Sequence, residues 1–393
     1  MIIERIETLH AGLGWRDASF VKVTGAGGLV GWSEYNEAGD NVGISAIVRA
    51  LGEQLIGRDA RQISRLVADL RARVAPALGP VTVQAIGALT NALLDLKAKS
   101  LGVPVRELFG GALRSRIPVY WSHCASYRIA HADHIRRPEL RTREDAVRLG
   151  AEVRASGIRA LKTNMVLSGA QGYRLFRQGS GDFADYPELR WDAEAMAATL
   201  EHLAALREGA GSDVALMLDV NFNFRFDGYR EVVRALRDVP LQWLELDVLD
   251  PDALTELRRE AGMPLASGEA LHGPASYWPH LQLRSMDIAL IDVIWNGFLD
   301  AHQIAAMADA RSINVAPHNY YGPLADAISA NFAAITPNLH SLEVDIDGVP
   351  WRSDLVTHQH AIEGGEFVLS VRPGWGTDVN EDAVRSHPPR HAH

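Results

Sequence analysis

The sequence predicts an α/β protein: a (β/α)8-type barrel with an N-terminal α+β capping domain that the C-terminal tail completes. Three observations predict it. Strands are followed by helices up to about residue 115, short apolar runs alternate with helices from residue 116, and the run ends recur at nearly constant spacing.

Residues 1–35 read as antiparallel strands. In 18–23, Val21 and Val23 share a face with Lys22 opposite, the glycine-rich stretch 25–28 supplies a turn, and 29–35 resumes with Trp32 and Tyr35. Residues 41–101 read as helices. Ile44, Ile47, Val48, Leu51 and Leu55 recur at helical spacing, as do Ile63, Leu66, Leu70 and Val74, and a third helix covers about 81–101. The apolar runs that follow are 117–121, 158–162, 214–219, 241–245, 264–269, 287–292, 313–318 and 340–344. Helices such as 143–155, 193–207, 228–236, 252–261 and 301–310 separate them, with Asp192 and Asp252 as expected N-caps.

Run ends at 219, 245, 269, 292, 318 and 343 leave room for one strand, one helix and two short loops each. The first two intervals are longer, from 121 to 162 and from 162 to 219, which places extra chain at the C-terminal face, where barrels build sites. The expected organisation is a capping domain at 1–115, a barrel at 116–354, and a segment at 355–393 that returns to the capping domain.

With a net charge of −10, the surface disfavours a nucleic-acid partner. One cysteine, Cys124, fits a reducing cytoplasm. Charges near the N-terminus and the absence of a long apolar run predict neither a secretion signal nor a membrane span.

Seven runs end in, or just after, an ionisable side chain: Lys162, Asp219, Glu245, Glu269, Asp292, His318 and Glu343. Alternation puts Asn164 on the face of Lys162, Asn221 on that of Asp219, and Asp247 on that of Glu245. Asp219, Glu245 and Glu269 aimed into one pocket repel unless a cation neutralises them, and an oxygen-only set suits a hard cation such as Mg2+. Asp292 and His318 fall on adjacent strands, where a carboxylate fixes the imidazole tautomer and raises its basicity.

These residues, in this order, resemble the enolase superfamily and its mandelate racemase subgroup. Gly31-Trp32-Ser33-Glu34, the stretch from Leu101 to Gly111, Asp219-Val220-Asn221, Trp243-Leu244-Glu245 and Pro264-Leu265-Ala266-Ser267-Gly268-Glu269 carry the likeness, with Asp292, His318 and Glu343. The resemblance implies proton removal α to a carboxylate, with Mg2+ stabilising the enediolate, His318 as base tuned by Asp292, Glu343 bonding an enediolate oxygen, and Lys162 facing the carboxylate. It also implies a small-molecule carboxylate substrate and a homo-oligomer.

One departure bears on the outcome. The subgroup commonly ends its second strand in Lys-X-Lys, but this sequence has Lys162-Thr163-Asn164. An amide does not titrate near neutrality, so Asn164 is no second base. The expectation is a sugar-acid dehydratase, with a racemase, epimerase or lactone cycloisomerase as the alternative and an inactive binding barrel as the third reading. Arg174 and Arg177, in a long segment at 165–191 with Tyr173, Phe176, Phe183 and Tyr186, either clamp a distal group of the substrate or form a surface excursion. His123, Trp15 and Arg16 are further candidates for lining the site, with Asn221.

Overall fold

The computed structural model describes residues 1–37, 42–177 and 189–390. Strands β1 (Ile3–Gly12), β2 (Asp17–Gly25) and β3 (Val30–Tyr35) form an antiparallel sheet in that order. Phe20, Val23 and Trp32 are buried in the core shared with the helix Pro80–Leu101. That helix opens on Pro80, whose missing N–H costs nothing there, and ends on Gly102 in the left-handed conformation.

The barrel strands are β4 (Arg116–Trp121), β5 (Ala160–Asn164), β8 (Ala215–Asp219), β9 (Trp243–Glu245), β10 (Leu265–Ser267), β11 (Ile288–Asp292), β12 (Asn314–His318) and β13 (Leu342–Val344). Parallel pairing runs from β4 through β5 and β8 to β12 in sequence order, and β13 pairs with β4. A bridge between Val315 and Leu339, with His340 N–H donating to the Val315 carbonyl at 2.7 Å, joins the remaining side. Tyr120, Met217, Trp243, Ala266, Ile288, Leu290 and Ala316 fill the interior as a separate apolar cluster. The barrel is therefore a packed core, and chemistry is confined to its rim.

One part of the chain extends the sequence reading and another corrects it. The segment after β5 begins as an antiparallel hairpin, β6 (Val166–Gly169) with β7 (Gly172–Leu175). The helix after β9 runs Pro251–Glu260 and is capped by Asp250 rather than Asp252. Proline takes the first helical position, and the Asp250 carboxylate accepts the N–H groups of Asp252 and Ala253. Asp192 does cap its helix, Ala193–Ala210, by accepting the Ala195 N–H.

The helices Arg143–Ser156 and Ala193–Ala210 cross where Gly150 and Gly209 replace side chains. A Cβ on Gly209 would stand 1.8 Å from the Val147 carbonyl oxygen, so only glycine permits this approach. The tail forms β14 (Ile362–Glu363) and β15 (Glu366–Val368), and β15 pairs antiparallel with β4. Farther on, the Trp375 indole donates to the Trp32 carbonyl at 2.8 Å, Lys22 pairs with Glu381, and the Gly12 N–H donates to the His387 carbonyl at 2.8 Å. No helix among the described residues is long and apolar enough to cross a membrane.

Candidate active site

Strand alternation explains why the ionisable residues gather. The interior residues Tyr120, Met217, Trp243, Leu290 and Ala316 are followed two positions later by Ser122, Asp219, Glu245, Asp292 and His318. Each of these polar residues stands one layer above its apolar predecessor, on the same inward face. Glu245 is in register with Asp219, Asp219 with Asn164, and His318 with Asp292.

Lys162 is the hub of one half. Its ammonium lies 2.8 Å from Glu245 Oε2 and 2.9 Å from Glu343 Oε1, and all three residues are buried. Burial works against its charge, but Glu245 and Glu343 together hold its pKa well above the usual lysine value. Glu343 also accepts from Ser122 Oγ and, at 2.9 Å, from the Asn319 N–H. Despite burial, Lys162, His318 and His123 hold it below the usual carboxylate range.

His318 anchors the other half. Nδ1 lies 2.7 Å from Asp292 Oδ2, and Nε2 lies 3.1 Å from Glu269 Oε2. Asp292 is fixed in turn by the backbone N–H groups of Ile294 and Trp295, both at 2.7 Å, and by the Tyr321 hydroxyl. Burial opposes the imidazolium, yet Glu269 and Asp292 move the His318 pKa from 6.5 up to about 10.

Asn164 is locked among three partners. Its Oδ1 accepts from Ser126 Oγ at 2.7 Å, and its Nδ2 donates to Asp219 Oδ2 at 3.1 Å and Asn221 Oδ1 at 3.2 Å. Asn221 adopts a left-handed backbone, φ 49°, which turns its own N–H onto Asp219 Oδ1 at 2.7 Å.

The metal expectation can be tested on these contacts. Among the described residues, no three His, Cys, Asp or Glu side chains stand grouped as a ready metal shell. Each expected ligand is instead drawn to a protein partner: Glu245 to Lys162, Glu269 to His318, and Asp219 to the two asparagines. The donors nevertheless fit a hard cation. Glu245 Oε1 and both oxygens of Asp247 are buried without any hydrogen-bond partner. Burial, followed by repulsion from Asp219 and Glu245, raises the Asp247 pKa well above its usual value, and burial with Asp247 raises that of Glu269 to about 8. Orphaned carboxylate oxygens in a dry, mutually repelling set are what a divalent cation would satisfy.

Above the strand ends lies a second layer. His123 (φ 47°) and Ala125 (φ 73°) turn the chain sharply after β4 and bring Tyr127 over the site. Asp345 gathers this layer, accepting from Arg16 Nη2 at 2.9 Å and from the Tyr127 hydroxyl at 3.0 Å, and lying 2.9 Å from His123 Nδ1. Trp15 stacks on His131 with ring centroids 4.4 Å apart. Arg174 stands on the exposed side of β7, whereas Arg177, at the hairpin exit, acts electrostatically on Tyr127 and His131. Phe183 and Tyr186 lie outside the described residues.

Sequence reasoning missed Ser122, Tyr127, Asp345 and Tyr320. Two of them carried a signal: Asp345 follows Glu343 by two positions and Tyr320 follows His318 by two, the offset already noticed for Asp247.

Comparison with known proteins agrees with this architecture. Residues 145–383 match the enolase C-terminal domain-like family, and residues 12–110 match the N-terminal domain of mandelate racemase / muconate lactonizing enzyme. The chain is 30% identical over 388 residues to a D-galactonate dehydratase family member from Streptomyces bingchenggensis, covering 94% of this chain and 89% of that one. It is 27% identical to a D-xylonate dehydratase from Haloferax volcanii, with 93% and 84% covered. Among solved structures, a provisionally assigned L-alanine-DL-glutamate epimerase from Burkholderia xenovorans is 41% identical and superposes with a TM-score of 0.97 over 99% of both chains. The same protein has been solved with magnesium and fumarate, with a TM-score of 0.96 and 99% and 96% of the chains covered.

Proposed function

Because this chain belongs to the enolase superfamily, in its mandelate racemase and muconate lactonizing enzyme subgroup, we propose that it is an acid-sugar dehydratase. It removes the proton α to the carboxylate of a sugar acid and then expels the β-hydroxyl as water. One observation carries this reading: the second strand offers no free base. Asn164 is an amide with its donors and acceptor engaged, and Lys162 is held charged between Glu245 and Glu343. His318 remains, and one base suffices for dehydration.

Asp219, Glu245 and Glu269 would hold Mg2+, with Asp247 adding charge beside them. The cation supplies the positive charge that the substrate carboxylate faces as it gains electron density. His318 receives the α-proton at Nε2, because Nδ1–H is committed to Asp292. Were Glu269 to turn to a bound cation, His318 would lose the partner that contributes most to holding its proton. The proton then leaves Nε2 for the departing β-hydroxyl, the Cα–Cβ double bond forms, and the enol product tautomerises to a 2-keto-3-deoxy acid. Glu343 would hydrogen-bond an enediolate oxygen, and its pairing with Lys162 orients the ammonium that would face the substrate carboxylate.

The Burkholderia structure favours a second reading, epimerisation, in which Lys162 leaves its carboxylates to serve the opposite face. Incubating the Mg2+-loaded protein with aldonates and aldarates in deuterated water separates the two. Dehydration gives a 2-keto-3-deoxy acid, trapped by semicarbazide, and His318→Asn lowers its formation by about 10²–10⁴-fold. Deuterium entering C2 without loss of water would replace this reading with the second.

A further inference from the structure

Asp292 uses its two oxygens differently. Oδ1 caps the short helix Val293–Asn296, accepting the backbone N–H groups of Ile294 and Trp295 at 2.7 Å each. Oδ2 faces the site, 2.7 Å from His318 Nδ1, and the Tyr321 hydroxyl donates to this same oxygen. A carboxylate held through one oxygen can still swing the other about that anchor, and the imidazole follows it. A second donor on Oδ2 opposes that swing. The Tyr321 ring stands almost perpendicular to the His318 ring, at 85°, with the centroids 6.2 Å apart.

Tyr321 is itself held in place. It is buried, and its carbonyl accepts from Arg352 Nη2 at 2.8 Å. The same nitrogen donates to Asp326 Oδ2 at 2.8 Å, while Asp326 Oδ1 accepts from the side chain of Asn319, the neighbour of His318, at 2.8 Å. His318 and Tyr321 therefore grip one carboxylate oxygen from two points of a single loop, and Arg352 braces that loop from behind. Trp295 and Tyr320 also wall the His318 ring, with centroids at 5.5 and 5.1 Å. Tyr321 adds to this wall a polar group bonded to the Asp–His pair itself.

We propose that Tyr321, braced by Arg352, is a positioning residue for the base: its hydroxyl fixes Asp292 Oδ2, so that the His318 ring keeps Nε2 aimed at the α-proton. This rests on His318 being the base, the first step of the dehydratase reading, and goes beyond it by naming what holds the base in line. A single base must take the proton from Cα and deliver it to the hydroxyl on Cβ. Its ring tolerates little drift, because a displacement of about 1 Å can lower a rate by about 100-fold. Tyr321 acts through Asp292 rather than on the substrate.

The test is Tyr321→Phe, which removes one hydroxyl and keeps the ring. With the Mg2+-loaded protein and the aldonate or aldarate that it turns over, kcat should fall by about 10–100-fold, while KM and Mg2+ affinity stay within about twofold. In proton NMR of the Mg2+-loaded protein, the downfield Nδ1 proton of His318, identified by its loss in His318→Asn, should broaden as it exchanges faster with water. A merely structural role would instead lower the melting temperature and shift KM and Mg2+ affinity together, with that resonance intact. An unchanged resonance, or a kcat within about twofold of wild type, overturns the proposal. If no sugar acid loses water, the resonance alone decides: broadening keeps Tyr321 as the positioning residue while the dehydratase reading falls, and an unchanged line removes it. Should Tyr321→Phe fail to fold, Arg352→Met tests the same brace, with the same broadening expected and an unchanged line again overturning it.

Discussion

Asp247 shows how much one side chain can alter a charged site. It occupies the inward face two positions after Glu245, both of its oxygens are orphaned, and its charge bears on Asp219, Glu245 and Glu269 at once. As an added anion beside the expected ligands, it strengthens the hold on a cation. Asp247→Asn keeps the shape and removes the charge. It should weaken Mg2+ or Mn2+ binding by about 10-fold or more in calorimetry, and unchanged affinity would remove Asp247 from the cation site. At this scale the lower layer was legible because regular strands fix which way a side chain faces. The upper layer was less so: His123 and Tyr127 are aimed by a strained turn, and Arg177 by a hairpin, neither of which follows the strand period.

Elements were legible where a repeating pattern generated them. The βα spacing located the barrel strands to within a few residues, since each strand is an apolar run limited by the barrel's height. Local competition decided the misreadings. Asp250 and Asp252 both suit an N-cap, and Pro251, which belongs just inside a helix, selects the first. The crossing of Arg143–Ser156 with Ala193–Ala210 left no readable signal, because a glycine within a helix looks like a weakness until its neighbour is known. At that crossing, Gly209→Ala should destabilise the protein by about 1–3 kcal/mol in urea unfolding, since the new methyl meets backbone rather than a movable side chain. A loss within a few tenths of a kcal/mol would mean that the two helices separate freely.

Over the whole molecule, Glu34 ties the capping sheet to the barrel. From the end of β3 it accepts the Gly322 N–H at 2.5 Å and the Ala325 N–H at 2.9 Å, at the start of the helix Pro323–Ile335. Burial outweighs these bonds and raises its pKa from 4.5 to about 7. The folded state then holds a proton that the unfolded chain releases between those values, so this residue makes stability fall as pH rises from 4.5 to 7 and adds no further slope above that. Glu34→Gln should flatten that part of the Tm–pH profile, and a profile parallel to wild type would refute the assignment.

The tail's attachment bears on how the protein is made. Trp375 reaches the Trp32 carbonyl across 343 positions of chain, and β15 completes pairing with β4 far upstream. A ribosome therefore emits the capping sheet and the first barrel strand long before their partner exists. The nascent chain must keep an unpaired β4 edge and an uncovered apolar face in solution through most of translation. Its vulnerable period is set by synthesis time rather than by intrinsic folding speed, and slowing the ribosome late in the message should raise aggregation more than slowing it early.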